Sequence, residues 1–346
     1  MGGVLSHTVV IASGVPQGSV LGPLLFSAYV SPITRLLSCF HVRYHAYADD
    51  TTLFIKFDPK LSPLSILSES TAALSNWFMH NGLLLNPSKS EVMWTGSRSQ
   101  LQSTTNFSSD LKVAGTNVIP TSSVKIVGVT YDSQLTFNVH VAETCRIANF
   151  HLQALRHIRK FIDGPTANTV ACCIVASRID YCNSVLAGVS DYSLQRLQRV
   201  QNTAARIVCN ATSRAPASPL LRQLHWLPVA HRIQYKIALI TFKILAVKEP
   251  SYLFSFLTPL SSNRPDSSRQ LRSSEHNLLS VPLAKSVLHS RAFSVFAPRL
   301  WNMLPQSVRN LFVQSSNRAD TLLNLSLFKK ALKSFFFDLP PAFLVH

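Results

Sequence analysis

Tyr47-Ala48-Asp49-Asp50 stands between two runs that read as strands. Before it, Val42, Tyr44, Ala46 and Ala48 alternate with polar neighbours at period two, so one face of an extended segment is apolar. After it, Leu53-Phe54-Ile55-Lys56-Phe57 returns. Residues 41–57 therefore predict strand, tight turn, strand, with both aspartates at the turn. Adjacent carboxylates raise each other's pKa and are costly unless a cation sits on them. Hard oxygen donors held on a rigid turn suit Mg²⁺, which also takes phosphate oxygens. An isolated Asp-Asp pair is equally consistent with a solvated turn.

Upstream, residues 5–12 are β-prone and predict a strand, which Gly14-Val15-Pro16-Gln17-Gly18 interrupts. A helix is expected from about Ser19 toward Leu37. Downstream, Leu64, Leu67, Leu74 and Phe78 have helical spacing, predicting a helix over 64–80 that Asn81-Gly82 closes. Leu83–Asn86 and Val92–Trp94 read as short strands, Ser97–Asp110 as a polar loop, and Val124–Tyr131 as a strand pair.

The character changes near residue 137. Residues 1–137 hold 8 Lys/Arg and 7 Asp/Glu, whereas residues 138–346 hold 25 and 9, leaving nets of +1 and +16. That asymmetry points to a polyanionic partner, because Lys and Arg release counterions from phosphates. Val141, Cys145, Ala148, Leu152, Leu155, Ile158 and Ile162 make one stripe of an amphipathic helix. Arg156, Arg159 and Lys160 lie off it. Leu194, Leu197, Val200, Ala204 and Ile207 make a second stripe, with Arg196, Arg199 and Arg206 expected on the exposed side. Residues 261–274 read as a basic loop. The six cysteines form no Cys-x-x-Cys pair and no zinc spacing, which reads as free thiols in a reducing compartment inside the cell, nucleus or cytoplasm. No charge-free run reaches the roughly 18 residues of a membrane span, so no membrane partner is expected.

Ser13-Gly14-Val15-Pro16-Gln17-Gly18-Ser19-Val20-Leu21-Gly22-Pro23, followed by Tyr47-Ala48-Asp49-Asp50, resembles two consecutive motifs of reverse transcriptases. Further matches are Asn81-Gly82-Leu83 with Lys89 and Glu91, Val127-Gly128-Val129, Asp180-Tyr181-Cys182-Asn183, Gln198 with Gln201-Asn202, His225-Trp226-Leu227-Pro228, and Ala297-Pro298 with Leu300-Trp301-Asn302. They favour the LINE-type (non-LTR) retrotransposon branch. The resemblance implies an RNA-directed DNA polymerase using two-metal phosphoryl transfer. Asp49 and Asp50 would hold Mg²⁺. Lys89 would stand near the nucleotide phosphates as a general acid. Gly14, Pro16, Gln17, Gly18, Tyr47 and Ala48 would line the nucleotide and template. The partners would be an RNA template and a DNA primer or target, gripped by Arg156, Arg159, Lys160, Arg196, Arg199 and Arg206.

One departure matters. The family uses a third aspartate upstream of the glycine-rich turn, and no Asp or Glu precedes Asp49 here. The expectation is an α+β chain carrying only part of the catalytic apparatus: a partial polymerase palm over 1–137 without the fingers, a helical thumb-like region over 138–215 and a basic C-terminal region over 216–346. Such a truncated chain would be inactive by itself. The competing expectation is a non-enzymatic nucleic-acid-binding remnant of a degraded element.

Overall fold

A computed structural model describes residues 14–15, 18–56, 63–104, 111–260, 277–312 and 318–340. The expected strand at 5–12 and loop at 261–274 lie outside the described residues, as do Pro16 and Gln17. The chain is α+β, mostly helical with three small antiparallel sheets. It divides into two compact units, Met1–Gln134 and Leu135–His346.

The first unit opens with α1 (Gly22–Val30) and α2 (Ile33–Ser38). One helix over 19–37 was expected, and Pro32 is the reason there are two. It has no N–H to continue the α1 ladder, and it stands at the N-cap of α2. Strands β1 (Arg43–Tyr47) and β2 (Asp50–Phe54) pair antiparallel. Helix α3 (Pro63–His80) packs Leu74 and Phe78 against Val30 and Ile33, with Tyr44 of β1 on the same cluster. Its end is a Schellman motif: Leu83 N–H donates to Phe78 O and Gly82 N–H to Met79 O, with Gly82 at φ 68°.

Leu83–Asn86 and Val92–Trp94 do not form strands. Asn86 instead caps a 3₁₀ turn at Pro87–Lys89, and Val92 makes a single bridge to Pro120. Part of the expected polar loop is helical, as α4 (Arg98–Thr104). Two hairpins follow, β3 (Lys112–Val113) with β4 (Thr116–Asn117) and β5 (Ser123–Ile126) with β6 (Val129–Asp132).

The second unit is helical around one core. Its elements are α5 (Asn138–Ile158) with a 3₁₀ turn at Arg159–Phe161, α6 (Gly164–Ala171), a π segment (Cys172–Ala176), α7 (Ser177–Asp180), α8 (Asp191–Val208), α9 (Ala217–Gln223), α10 (Val229–Val247), α11 (Ser251–Phe254), α12 (Val287–Ser290), α13 (Phe293–Met303), α14 (Gln306–Arg309) and α15 (Arg318–Asp338). The α5 stripe from Val141 to Leu155 and the α8 stripe from Leu197 to Ile207 are buried. Ile158 falls out of the first stripe, exposed, and Ile162, the last residue expected in it, is half-buried beyond the 3₁₀ turn, which changes the period. Phe328, Leu332 and Phe336 of α15, spaced by four, complete the core with Trp301 and Phe242. His231 of α10 lies buried against Phe336, and burial pushes its imidazole pKa down.

Gly188 is held at φ 63°, and a Cβ there would stand 2.6 Å from Cγ of Arg291. Arg291 Nε donates to Ala187 O and one terminal nitrogen to Leu135 O, so it has little freedom to retreat. Gly188→Ala is expected to destabilise this unit by about 2–3 kcal/mol, from the left-handed backbone and the displaced arginine together. Urea unfolding checks it. A change within about 0.5 kcal/mol, the usual range of inert surface substitutions, contradicts it.

Candidate functional site

The register of β1 and β2 places Tyr47 opposite Asp50 and leaves Ala48-Asp49 as a two-residue turn. Ala48 has φ 52°, a left-handed conformation uncommon for a residue with a Cβ and worth about 1 kcal/mol or more of strain. Such strain persists only where the surroundings hold it. Here the base of the ribbon is anchored, by Val42 (buried) and by Tyr44, whose hydroxyl hydrogen-bonds Thr34 Oγ1 of α2. Toward the tip the anchoring ends. Ala46, Tyr47, Ala48, Asp49 and Asp50 are exposed, so the alternation that reads as a covered face is covered only at Val42 and Tyr44. The two carboxylates project on a short, solvent-facing arm and carry no ion pair among the described residues.

Their donor set suits a hard divalent cation, which takes one or two carboxylates plus substrate oxygens. Among the described residues no group of three or more His, Cys, Asp or Glu lies close enough to hold a metal. Lys89 ends the exposed 3₁₀ turn at Pro87–Lys89 and is joined to neither aspartate by an ion pair. Gly14 and Gly18 have φ 80° and 84°, with open space where a Cβ would be. A side chain at either would be strained by the backbone, not by crowding.

The hairpin β5–β6 carries a signal that residue spacing does not reveal. Its two-residue turn is Val127-Gly128, with both φ positive at 45° and 77°. A primed turn of this kind favours Asn-Gly. A β-branched residue there is an outlier.

The six expected phosphate contacts in the second unit separate into two sets. Arg156, Lys160 and Arg199 are exposed, and Arg196 is half-buried with its guanidinium 5.8 Å from the Tyr192 ring. Arg159 and Arg206 differ from the exposed positions expected of them. Arg159 donates to the carbonyls of Ile207, Val208 and Ile162, closing the C-terminus of α8. Arg206 donates to Ala215 O. Arg309, buried, does the same for Asn302 O at the end of α13. A helix C-terminus leaves carbonyls without partners and carries partial negative charge, so part of this unit's basic excess is consumed inside the fold.

Several other motif residues beyond 138 hold the fold together. Asp180 takes a two-pronged ion pair from Arg232. Gln201 Nε2 donates to Leu227 O, and Gln198 Oε1 accepts from Val229 N–H at the start of α10. Trp226 and Trp301 are core, Trp301 Nε1 donating to Asn277 O at 2.8 Å. Cys145, Cys172 and Cys209 have thiol pKa values raised by burial, and all six cysteines are free.

Comparison with known proteins finds a likeness that is centred on the first unit. Residues 2–131 match the family described as Reverse transcriptase (RNA-dependent DNA polymerase). This part of the chain is similar to reverse transcriptases. The chain is 27% identical over 246 residues to a probable RNA-directed DNA polymerase from transposon BS of Drosophila melanogaster, covering 65% of this chain and 25% of that protein. It is 31% identical over 137 residues to the RNA-directed DNA polymerase from mobile element jockey of the same species, covering 38% and 14%. A probable RNA-directed DNA polymerase from transposon X-element matches at 25% over 206 residues, 57% of this chain and 22% of that one. The chain thus spans about a quarter or less of the length of these relatives. The kinship is to the reverse transcriptases of non-LTR retrotransposons. Because 65% of the chain exceeds the reverse transcriptase match, the similarity runs on into the helical unit.

Proposed function

We propose that this chain carries the aspartate-bearing hairpin of an RNA-directed DNA polymerase palm together with a basic helical unit that grips nucleic acid. The observation that carries this reading is Asp49 on the exposed, strained Ala48-Asp49 turn with Asp50 beside it at the start of β2, inside the reverse transcriptase match. Asp49 and Asp50 would hold Mg²⁺, which when bound stabilises charge on the oxygens of phosphoryl transfer. Tyr47 and Ala48 fix the height and direction of the carboxylates. Gly14 and Gly18, with Pro16 and Gln17 between them, are suited by their bare backbone to approach a template or nucleotide. Lys89, on its exposed turn, is the candidate donor of a proton to the leaving pyrophosphate. RNA template and DNA primer or target are the proposed partners, with Arg156, Lys160, Arg196 and Arg199 as phosphate contacts.

A second reading has its own observation. Two-metal chemistry needs carboxylates beyond this pair, and among the described residues no third acid, His or Cys stands with it to hold a metal. Losing one electrostatic catalytic group costs about 10²–10³ in rate. The purified chain alone is therefore expected to bind nucleic acid without extending a primer above an Asp49→Asn, Asp50→Asn control. A Mg²⁺-dependent extension assay on a poly-rA template with an oligo-dT primer checks this. Extension by the unaltered chain, abolished in the double variant, would establish polymerase activity and sink the binding-only reading. Absence of both extension and binding would remove both readings.

A further inference from the structure

The core face of α5 is already spent on Val141, Cys145, Ala148, Leu152 and Leu155, all buried. Two large aromatic rings nevertheless stand on the opposite side. Phe150 is 69% exposed and Phe161 76% exposed. Along the outer face of α5, Arg146, Phe150, Gln153 and His157 follow one another at steps of four, three and four, so they form one stripe, and Phe161 ends the 3₁₀ turn that continues the helix. All five are exposed. Lys160 Nζ lies 4.8 Å from the Phe161 ring centroid. No Asp or Glu occurs from residue 144 to 162, while Arg146, Arg156, Arg159 and Lys160 do. The nearest acids bracket the stripe: Glu143 one turn before Arg146, and Asp163, whose carboxylate caps α6 through Thr166 N–H.

We propose that this outer face of α5 is a stacking platform for unpaired bases of a single-stranded nucleic acid, with the cations on its flanks holding the backbone. It rests on the nucleic-acid reading above and adds the form of the ligand. Exposed aromatics interleaved with cations and free of acids match what sequence-tolerant single-strand binding uses: a positive track and rings on which bases stack. The two rings are eleven residues apart, about 18 Å at the rises of an α-helix and of the 3₁₀ turn that ends it. At about 3.4 Å per stacked nucleotide, several bases fit between and upon them. Paired bases in a duplex offer no free faces, so the rings should contribute little there. A protein partner would be selected by the same apolar rings, but the exposed Arg146, Arg156 and Lys160 on this face favour phosphate.

The test uses the full chain and fluorescence anisotropy on two probes, a labelled oligo(rU) of about 12 nucleotides and a blunt RNA duplex of equal length. Phe150→Leu with Phe161→Leu keeps the surface apolar and removes the stacking rings. Both positions are exposed, and far-UV circular dichroism checks the fold. Oligo(rU) binding is expected to weaken about 25-fold or more, the low end of base–aromatic stacking taken twice. Duplex binding should stay within about twofold, and its salt slope should be unchanged. Phe150→Tyr with Phe161→Tyr should retain oligo(rU) binding. Equal losses on both probes, or an unchanged oligo(rU) affinity, would overturn the platform while leaving the nucleic-acid reading intact. A change confined to oligomeric state on size exclusion would overturn it in favour of a protein interface. If the unaltered chain binds neither probe, both readings fall together.

Discussion

Affinity of the full chain for a labelled RNA–DNA duplex is expected to fall by about 10³ between roughly 50 and 200 mM salt, as for a surface neutralising six or so phosphates. The helical unit carries 25 Lys/Arg against 9 Asp/Glu, whereas the first unit carries 8 against 7. The structure sharpens which arginines report on this. Arg199→Ala and Arg196→Ala should weaken binding uniformly across sequences and flatten the salt slope by about one unit per lost contact. Arg159→Ala should leave the slope alone and lower stability instead, because its guanidinium is committed to the carbonyls ending α8. A flat salt dependence would make the basic excess a solvated surface. An Arg159 variant that loses slope but not stability would return that residue to the binding face. Anionic vesicles serve as the competing probe, and attachment to them in preference to duplex would point to a membrane surface. Among the described residues no helix is long and apolar enough to cross a membrane.

Trp301→Ala is expected to cost about 3–5 kcal/mol of stability in the helical unit. The indole is wholly buried, with ring centroids 6.0 Å from Phe328 and 6.2 Å from Phe312. Removing it opens a cavity between α13 and α15 and orphans the carbonyl of Asn277, which now accepts from Nε1. Trp301→Phe should recover most of the packing and fail to recover the hydrogen bond, for an intermediate loss. Equilibrium unfolding in urea measures both. A loss below about 1 kcal/mol for the alanine variant, ordinary for peripheral sites, would show that α13 and α15 are not held through this ring.

The elements legible in the sequence are those whose pattern is local. The stripe from Val141 to Leu155 buries as its 3.6-residue period requires, because an amphipathic helix has only one apolar side to hide. Asn81-Gly82 ends α3 because only a residue tolerant of positive φ can close that Schellman turn. Pairing of Arg43–Tyr47 with Asp50–Phe54 follows from alternation around a short polar turn. Charge is likewise a property of composition, so the contrast between the two halves needed no coordinates.

What composition cannot say is how each charge or ring is used, since that depends on neighbours distant in the chain. Arg159 and Arg199 look alike in sequence, as cations off an apolar stripe. One meets the carbonyl end of α8 some 48 residues away, and the other faces solvent. Phe150 and Trp301 are both large aromatics within helices. The first stands opposite its helix's core face and stays exposed, and the second is enclosed by α15 and Phe312. The strain at Ala48 and Val127 is invisible to propensity, because alanine and valine both avoid positive φ and only the surrounding register imposes it. Residue types and local spacing determined the amphipathic helices, the first hairpin, the charge contrast and the likeness to reverse transcriptases. Long-range packing alone decided which cations are structural, which aromatics are free, and how far Asp49 and Asp50 stand out into solvent.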